Sequence, residues 1–219
     1  MDLRVGGRVQ RRYCTPGDIH RVDATRSPRV RTVGMIGSGV QARQQAICLH
    51  HVRPFERLVA WSIDAAGLAG YVGEIAAQLG IEARAAADPQ AVARESDVLV
   101  TCTPSRTAIV AADWLRPGMH VTALGSDGPG KQELDPRCLA RADLVVCDRV
   151  AQCARLGELQ HALAAGLMRE SDVYAELGQV VAGDKMGRTS DGQITVADLT
   201  GVGFQDTAIA TLAYHRLAR

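Results

Sequence analysis

"VGMIGSGVQA", residues Val33 to Ala42, decides the fold. Its first half is an apolar, partly β-branched run that stops at a glycine, the pattern of a buried parallel strand. Gly37-Ser38-Gly39-Val40-Gln41-Ala42 then reads G-x-G-x-x-A. The residues after it have helical spacing, so that Val40, Ala46, Ile47 and Leu49 can share a face. A bare glycine triplet is a weak signal, but strand, turn and helix in this order form a dinucleotide fingerprint. Gly37 allows the tight turn, Gly39 lets a pyrophosphate approach the backbone, and Ala42 lets the helix pack close on the strand. The amides of the first helical turn face the phosphates, helped by the helix dipole. Gly37, Ser38, Gly39, Val40, Gln41 and Ala42 are therefore candidate cofactor-binding residues.

Outward from this unit the pattern repeats. "RLVAWSID", "IEARAA", "DVLVTCT", "MHVTALG" and "ADLVVCD" read as further strands. Between them, "AAGLAGYVGEIAAQLG" is a helix with Gly80 as its C-cap, and Asp88-Pro89 opens another with an N-cap and a proline in the first turn. Residues 155 to 182 read as helical, 183 to 195 as turn-rich, "ITVADL" as a strand and "GFQDTAIATLAYHRLA" as a terminal helix. Strands alternating with helices predict an α/β fold, a Rossmann-type doubly wound, mostly parallel sheet. The expected organisation is an irregular, arginine-rich leader over 1–28, a dinucleotide-binding domain over 29–182, and a C-terminal strand and helix over 183–219. That last segment is expected to pack toward a substrate domain.

Composition narrows the function. The 219 residues carry a formal net charge of +1 and only 4% aromatics, so neither an electrostatic footprint for nucleic acid nor a base-stacking surface is apparent. No apolar run approaches the ~18 residues of a membrane span, and no secretory leader is readable. A cytoplasmic protein without nucleic-acid or membrane partners is expected. The six cysteines form no C-x-x-C pair, and buried thiols in a reducing compartment are the expectation, with no metal site. His50, His51 and His120 have no partners at readable spacing and read as packing or surface residues.

Three loops beyond strand ends bear on chemistry. The second strand should end in an acid for the adenosine ribose. That position falls on Ser62, with Asp64 two residues on, and Arg43 is the basic candidate near a 2′-phosphate. NAD and NADP both stay open. The fourth strand ends in Thr101, Thr103, Pro104 and Ser105, hydroxyl-rich residues suited to the nicotinamide ribose or pyrophosphate, or simply to a polar loop. After the fifth strand comes "GSDGPGKQEL", whose Gly125 to Lys131 reads G-x-x-x-x-G-K. A triphosphate loop needs Ser or Thr after the lysine to hold magnesium; Gln132 stands there, and Pro129 lacks an amide. That reading is rejected. Asp127 remains, a carboxylate in a glycine-rich loop placed for proton transfer, with Lys131 and Glu133 near it. Burial under a ring would favour its protonated form and Lys131 the carboxylate. On spacing alone, a solvated turn is the favoured reading.

"VGMIGSGVQARQQ", "VTCTPSRT", "ALGSDGPGKQELDP", "ADLVVCD" and "ELGQVVAGDKMGRTSDGQITVADLTGVGFQDTAIA" together resemble the ornithine cyclodeaminase and mu-crystallin family, from about Arg29 to the C-terminus. The resemblance implies NAD(P) chemistry on a small amino or imino acid. In the ornithine enzyme the cofactor oxidises the α-amine, the side-chain amine attacks the imine, ammonia leaves, and the ring imine is reduced to proline. Relatives perform alanine dehydrogenation, ketimine reduction, or steps in opine and ectoine metabolism. It also implies Asp127 as the catalytic acid–base, Gly125 and Lys131 in the cofactor loop, and Thr200 near nicotinamide and substrate. Family members are homodimers whose N-terminal portion builds most of the substrate pocket and the dimer interface. Most of that portion is expected to be missing here: "DLR", Asp2 to Arg4, matches its last piece, with Arg4 where the family binds the substrate carboxylate. "VGGRVQRRYCTPGDIHRVDA" then stands in place of an alanine-rich helix, which reads as a truncation or a shifted frame. A non-catalytic NAD(P)-binding remnant is the competing expectation.

Overall fold

A computed structural model describes residues 30–217. The expected leader and Arg4 lie outside the described residues. The strands are β1 (Thr32–Ile36), β2 (Arg57–Trp61), β3 (Glu82–Ala85), β4 (Val98–Thr101), β5 (Arg106–Val110), β6 (His120–Ala123), β7 (Gln132–Leu134), β8 (Leu144–Cys147), β9 (Ala175–Glu176) and β10 (Thr195–Asp198). The α-helices are α1 (Val40–Val52), α2 (Ala65–Leu79), α3 (Pro89–Glu95), α4 (Arg137–Arg141), α5 (Val150–Leu156), α6 (Leu159–Ala164), α7 (Leu177–Ala182) and α8 (Gly203–Leu217).

Eight strands form one sheet in the order β3-β2-β1-β4-β6-β10-β8-β9, every pair parallel. The doubly wound sheet expected from the sequence is therefore present. β1, β4, β6, β8 and β10 are buried at every residue, as central strands covered by helices on both faces must be. β3, at one edge, is mostly exposed. Two large apolar clusters fill the layers. One gathers Met35, Ala42, Leu58, Tyr71 and Ile75 under α1 and α2; the other gathers Ile36, Val92, Leu99, Val121, Leu134 and Leu159.

The local punctuation acts as read. Asp88 accepts from the Ala91 amide at the head of α3, with Pro89 in the first turn, and Gly80 closes α2 in the left-handed conformation, φ 67°. Three features differ from the sequence reading. The segment after the fourth strand forms β5, which pairs with β7 in a small two-stranded parallel sheet. Residues 155–182 are not continuously helical: Ala175–Glu176 add a short edge strand to β8. And β10, inside the segment 183–219, is hydrogen-bonded between β6 and β8, so that segment shares its sheet with the residues before it. No described helix is long and apolar enough to cross a membrane.

Gly34, in the middle of β1, sets how closely α3 approaches the sheet. A Cβ there would stand 1.9 Å from Ser96 Oγ and 2.8 Å from a Val92 methyl. Gly34→Ala is expected to lower stability by about 1–3 kcal/mol through overpacking, read as an earlier midpoint in urea unfolding; an unchanged midpoint would show that α3 can move away.

Candidate functional site

β1 and β4 are neighbours at the centre of the sheet, with β2 and β3 on one side and β6 onward on the other. A doubly wound sheet opens its ligand crevice at this switch point, beyond the C-terminal ends of the strands. Gly37 makes the turn there with φ 119°, and its amide donates to the Trp61 carbonyl at 2.8 Å. A Cβ on Gly37 would lie 3.0 Å from the Cys102 carbonyl oxygen, so conformation and space both require glycine. Gly39 is the N-cap of α1; no side chain caps that end, and a Cβ on Gly39 would meet nothing within 4 Å. The helix start thus opens onto free space with its first amides uncapped, an arrangement that attracts anions. Ser38 is half-buried, Gln41 is exposed and Ala42 is fully buried against the core. Val40 and Ile63, 72% and 90% exposed, stand at the ends leaving β1 and β2. An uncapped cradle flanked by exposed apolar side chains fits a diphosphate carrying an adenosine.

Ser62 follows β2 directly. Its Oγ accepts from the Asp64 amide at 3.2 Å, while Asp64 Oδ1 accepts from the Gly67 amide at 3.0 Å as the N-cap of α2. Arg43 does not point freely toward this corner. Its Nε donates to Glu74 Oε2 at 2.6 Å, Nη1 to the Ser38 carbonyl at 3.3 Å, and its guanidinium lies over the Tyr71 ring.

The loops after β4 and β6 meet beside this turn, because β4 pairs with both β1 and β6. Their continuations pair again through β5 and β7, with the Gln132 amide donating to the Ser105 carbonyl at 2.9 Å. In the β4 loop, Thr103 Oγ1 accepts from the Ser105 amide, Ser105 Oγ donates to the Thr107 carbonyl, and Pro104 is exposed. Gly125 has no room for a side chain: a Cβ would stand 2.1 Å from the Thr103 carbonyl oxygen and 2.6 Å from the Glu133 carboxylate. Asp127 is half-exposed and bonded to Lys131 Nζ at 2.5 Å. It is not buried, and Lys131 is held on the carboxylate. Gly130, in the left-handed conformation at φ 69°, completes the turn, and the Lys131 carbonyl takes bonds from Ser126 Oγ and His161 Nε2.

Beneath the loops runs a chain of buried carboxylates. Glu133 accepts from Thr101 Oγ1 (2.7 Å), the Thr103 amide (2.5 Å) and the Gly125 amide (2.8 Å). The Glu133 and Leu134 amides in turn donate to Glu158, at 2.7 and 3.1 Å. The Glu158 and Leu159 amides donate to Asp198, at 3.0 and 2.9 Å. Asp198 thus holds the backbone at Glu158, Glu158 holds the backbone at Glu133, and Glu133 holds both site loops. Burial raises the pKa of all three, against the pull of these hydrogen bonds. Glu158 is pushed up to about 8 by burial and then by Asp198, and Asp198 to about 7 by burial. Asp148, at the end of β8, accepts from the Thr200 and Gly201 amides and from Thr200 Oγ1. Thr200 is therefore fixed just beyond β10, its hydroxyl also taking a bond from Gln152. Cys147, Cys153 and Asp198 offer ligand atoms within 4.8 Å of one another. Both Asp198 oxygens accept backbone amides, and Cys153 Sγ lies 3.2 Å from Asp148 Oδ1.

Sequence reasoning placed Glu133 near the loop without a role and did not single out Glu158, Asp198, Asp148 or His161. The available signal was an acid directly after an apolar strand, as in "LVVCD" and "TVAD".

A parallel doubly wound sheet, an uncapped glycine turn at its switch point and a carboxylate–lysine loop beside it define a dinucleotide-binding domain. The chain belongs to the Ornithine cyclodeaminase/mu-crystallin family, whose profile matches residues 25–219. It is 46% identical to an uncharacterised cyclodeaminase of Sinorhizobium fredii, over 83% of this chain and 55% of that protein. It is 41% identical to an iminosuccinate reductase of Paracoccus denitrificans, over 82% of this chain and 55% of that protein. An archaeal alanine dehydrogenase dimer with bound NAD superposes with a TM-score of 0.84 at 36% identity, covering 91% of this chain and 61% of that one. The chain thus spans little more than half the length of these curated relatives.

The buried acids give stability a pH dependence. Their folded-state pKa values lie above the ordinary carboxylate range, so the stability they contribute is fully present below about pH 4 and is lost as pH rises through about 7 and about 8. The melting temperature is expected to fall by several degrees from pH 5 to pH 9, and Glu158→Gln to flatten that slope. Differential scanning calorimetry across the range checks both; a slope unaltered by the substitution would remove Glu158 from the explanation.

Proposed function

We propose that the described residues form the cofactor-binding and proton-transferring part of an NAD(P)-dependent enzyme of the cyclodeaminase type, acting on the carbon–nitrogen bond of a small amino or imino acid. The observation that carries this is that the Gly37–Ala42 turn and the Asp127–Lys131 loop follow β1 and β6, the two strands that flank β4, on the same side of the sheet. The reductase and dehydrogenase names among the relatives support the same chemistry.

A nicotinamide dinucleotide would supply hydride acceptance and donation at carbon. The α1 amides and Gly39 would hold its pyrophosphate, and Ser62 its adenosine ribose. Thr103, Pro104 and Ser105 would border the nicotinamide side. Asp127 would hold or move the proton at the substrate nitrogen, where amine and imine interconvert. The Lys131 ammonium fixes the direction of the carboxylate, and Gly125 lets the loop sit close to β4. Thr200, fixed by Asp148, borders the same crevice. Ornithine cyclisation, alanine dehydrogenation and reduction of a cyclic or open-chain imino acid all need this pairing of hydride and proton transfer.

The assay follows nicotinamide absorbance with alanine, ornithine and cyclic or acyclic imino acids, and amino-acid analysis for proline from ornithine, which leaves the cofactor unchanged. Asp127→Asn is expected to lower kcat/KM by about 10²–10⁴-fold, the usual worth of a general acid–base, while nucleotide affinity falls far less. Full activity in Asp127→Asn would remove the proton-transfer role. Cofactor affinity with no turnover of any of these substrates would favour the second reading, a non-catalytic NAD(P)-binding chain.

A further inference from the structure

The ion pair between Asp127 and Lys131 does not hold itself still. Both side chains are partly exposed, at 51% and 28%, and an exposed ion pair contributes little of its own. Between them stand Gly128, Pro129 and Gly130, and glycines leave a backbone freer than other residues do. The Asp127 amide donates to the Gly125 carbonyl at 3.1 Å and the Lys131 amide to the Gly128 carbonyl at 3.2 Å, bonds that close the loop on itself. Ser126 Oγ lies 2.8 Å from the Lys131 carbonyl and 3.2 Å from the Leu156 carbonyl, so its one proton is divided between the loop and the end of α5.

From Asp127 to Lys131, three side chains of other elements reach the loop backbone among the described residues. Arg106 Nη1 stands 3.4 Å from the Pro129 carbonyl, and Gln160 Oε1 accepts from the Gly130 amide at 3.3 Å. His161 Nε2 bonds the Lys131 carbonyl at 2.6 Å. This last contact is the shortest, and it falls on the residue whose ammonium meets Asp127. A carbonyl oxygen only accepts, so Nε2 carries the proton, as it can in the neutral ring and in the imidazolium alike. The helix that bears His161 is itself fixed, because the Glu158 and Leu159 amides at its start are held on Asp198. Lys131 is thus held at both ends, by Asp127 at its ammonium and by His161 at its carbonyl.

We propose that His161 is a positioning residue for the proton-transferring carboxylate. By holding the Lys131 carbonyl it keeps the Lys131 ammonium against Asp127, and it acts through Lys131 alone. The inference rests on the reading of Asp127 above and adds α6 to the parts that reading needs.

The test uses two substitutions that differ in reach. In His161→Gln the amide nitrogen stands where Nε2 stood; in His161→Asn it stops at the place of Nδ1. Lys131 and Lys185 are the two lysines of the sequence, so trace acylation of the folded chain with acetic anhydride, read by mass spectrometry, reports Lys131 against Lys185 as a reference. The same chains enter the turnover assay. His161→Asn is expected to raise the relative acylation of Lys131 several-fold and to lower kcat about tenfold, roughly the worth of one hydrogen bond, with NADH affinity held within about twofold. His161→Gln is expected to restore both. Asp127→Asn, which takes away the charge that the ammonium pairs with, is expected to raise acylation at least as much. Unchanged acylation of Lys131 in His161→Asn overturns the proposal. So does a His161→Gln chain as impaired as His161→Asn, which would make the role one of packing. Absence of turnover in the unaltered chain overturns the reading of function, while acylation still decides whether His161 holds Lys131.

Discussion

The site depends on carboxylates that are out of contact with solvent. Asp198 holds the start of α6, Glu158 at that point holds the start of β7, and Glu133 in β7 holds the loops after β4 and β6. Each bond runs from a backbone amide to a carboxyl oxygen away from water, where a hydrogen bond is electrostatically stronger than in water. Burying three acids in series is costly unless nearly every lone pair is used. Here the cost is offset by amides that would otherwise be orphans at helix and strand ends. The result is a strut from β10, the neighbour of β6, to the loop bearing Asp127.

That strut explains a division of labour in the crevice. On the α1 side, the fold offers empty space and uncapped amides, and glycine is kept where a Cβ would collide or obstruct. On the β6 side, nothing is empty: Gly125 is pressed between Thr103 and Glu133, and the small β5–β7 sheet ties the two loops a second time. One side leaves open space beside uncapped amides, and the other packs closely around the loop that bears Asp127. A half-exposed Asp127 paired with Lys131 gains its fixed direction from what lies beneath it rather than from burial of its own.

How much of this was legible in the sequence follows from how local each feature is. The strand–turn–helix unit at Val33–Ala42, the Asp88-Pro89 start and the Gly80 stop are written in contiguous residues, and each appears as read. The crevice position of Asp127 could be inferred from its place after a strand. The acid chain could not, because its links join residues between 8 and 40 positions apart through backbone amides, which carry no residue identity. β9, of two residues, is too short to show a period, β5 is exposed over its first three residues and so lacks the apolar run of a central strand, and the capture of Arg43 by Glu74 spans 31 residues. Lys131 is expected at the cofactor through the resemblance; its ammonium bonds Asp127, a contact its i,i+4 spacing already permits.

The insertion of β10 between β6 and β8 has a consequence for how the chain must be made. β6 and β8 are synthesised early, yet neither pairs with the other; both wait for Thr195–Asp198. Until those residues leave the ribosome, the edges that β6 and β8 offer to β10 stand open, and the Asp198 carboxylate that starts the strut is absent. Such long-range parallel pairing is slow and leaves edges available to other chains. The order of synthesis therefore makes the crevice the last part of the molecule to become rigid, and gives the residues around Ile194–Asp198 control over whether a nascent chain assembles or aggregates.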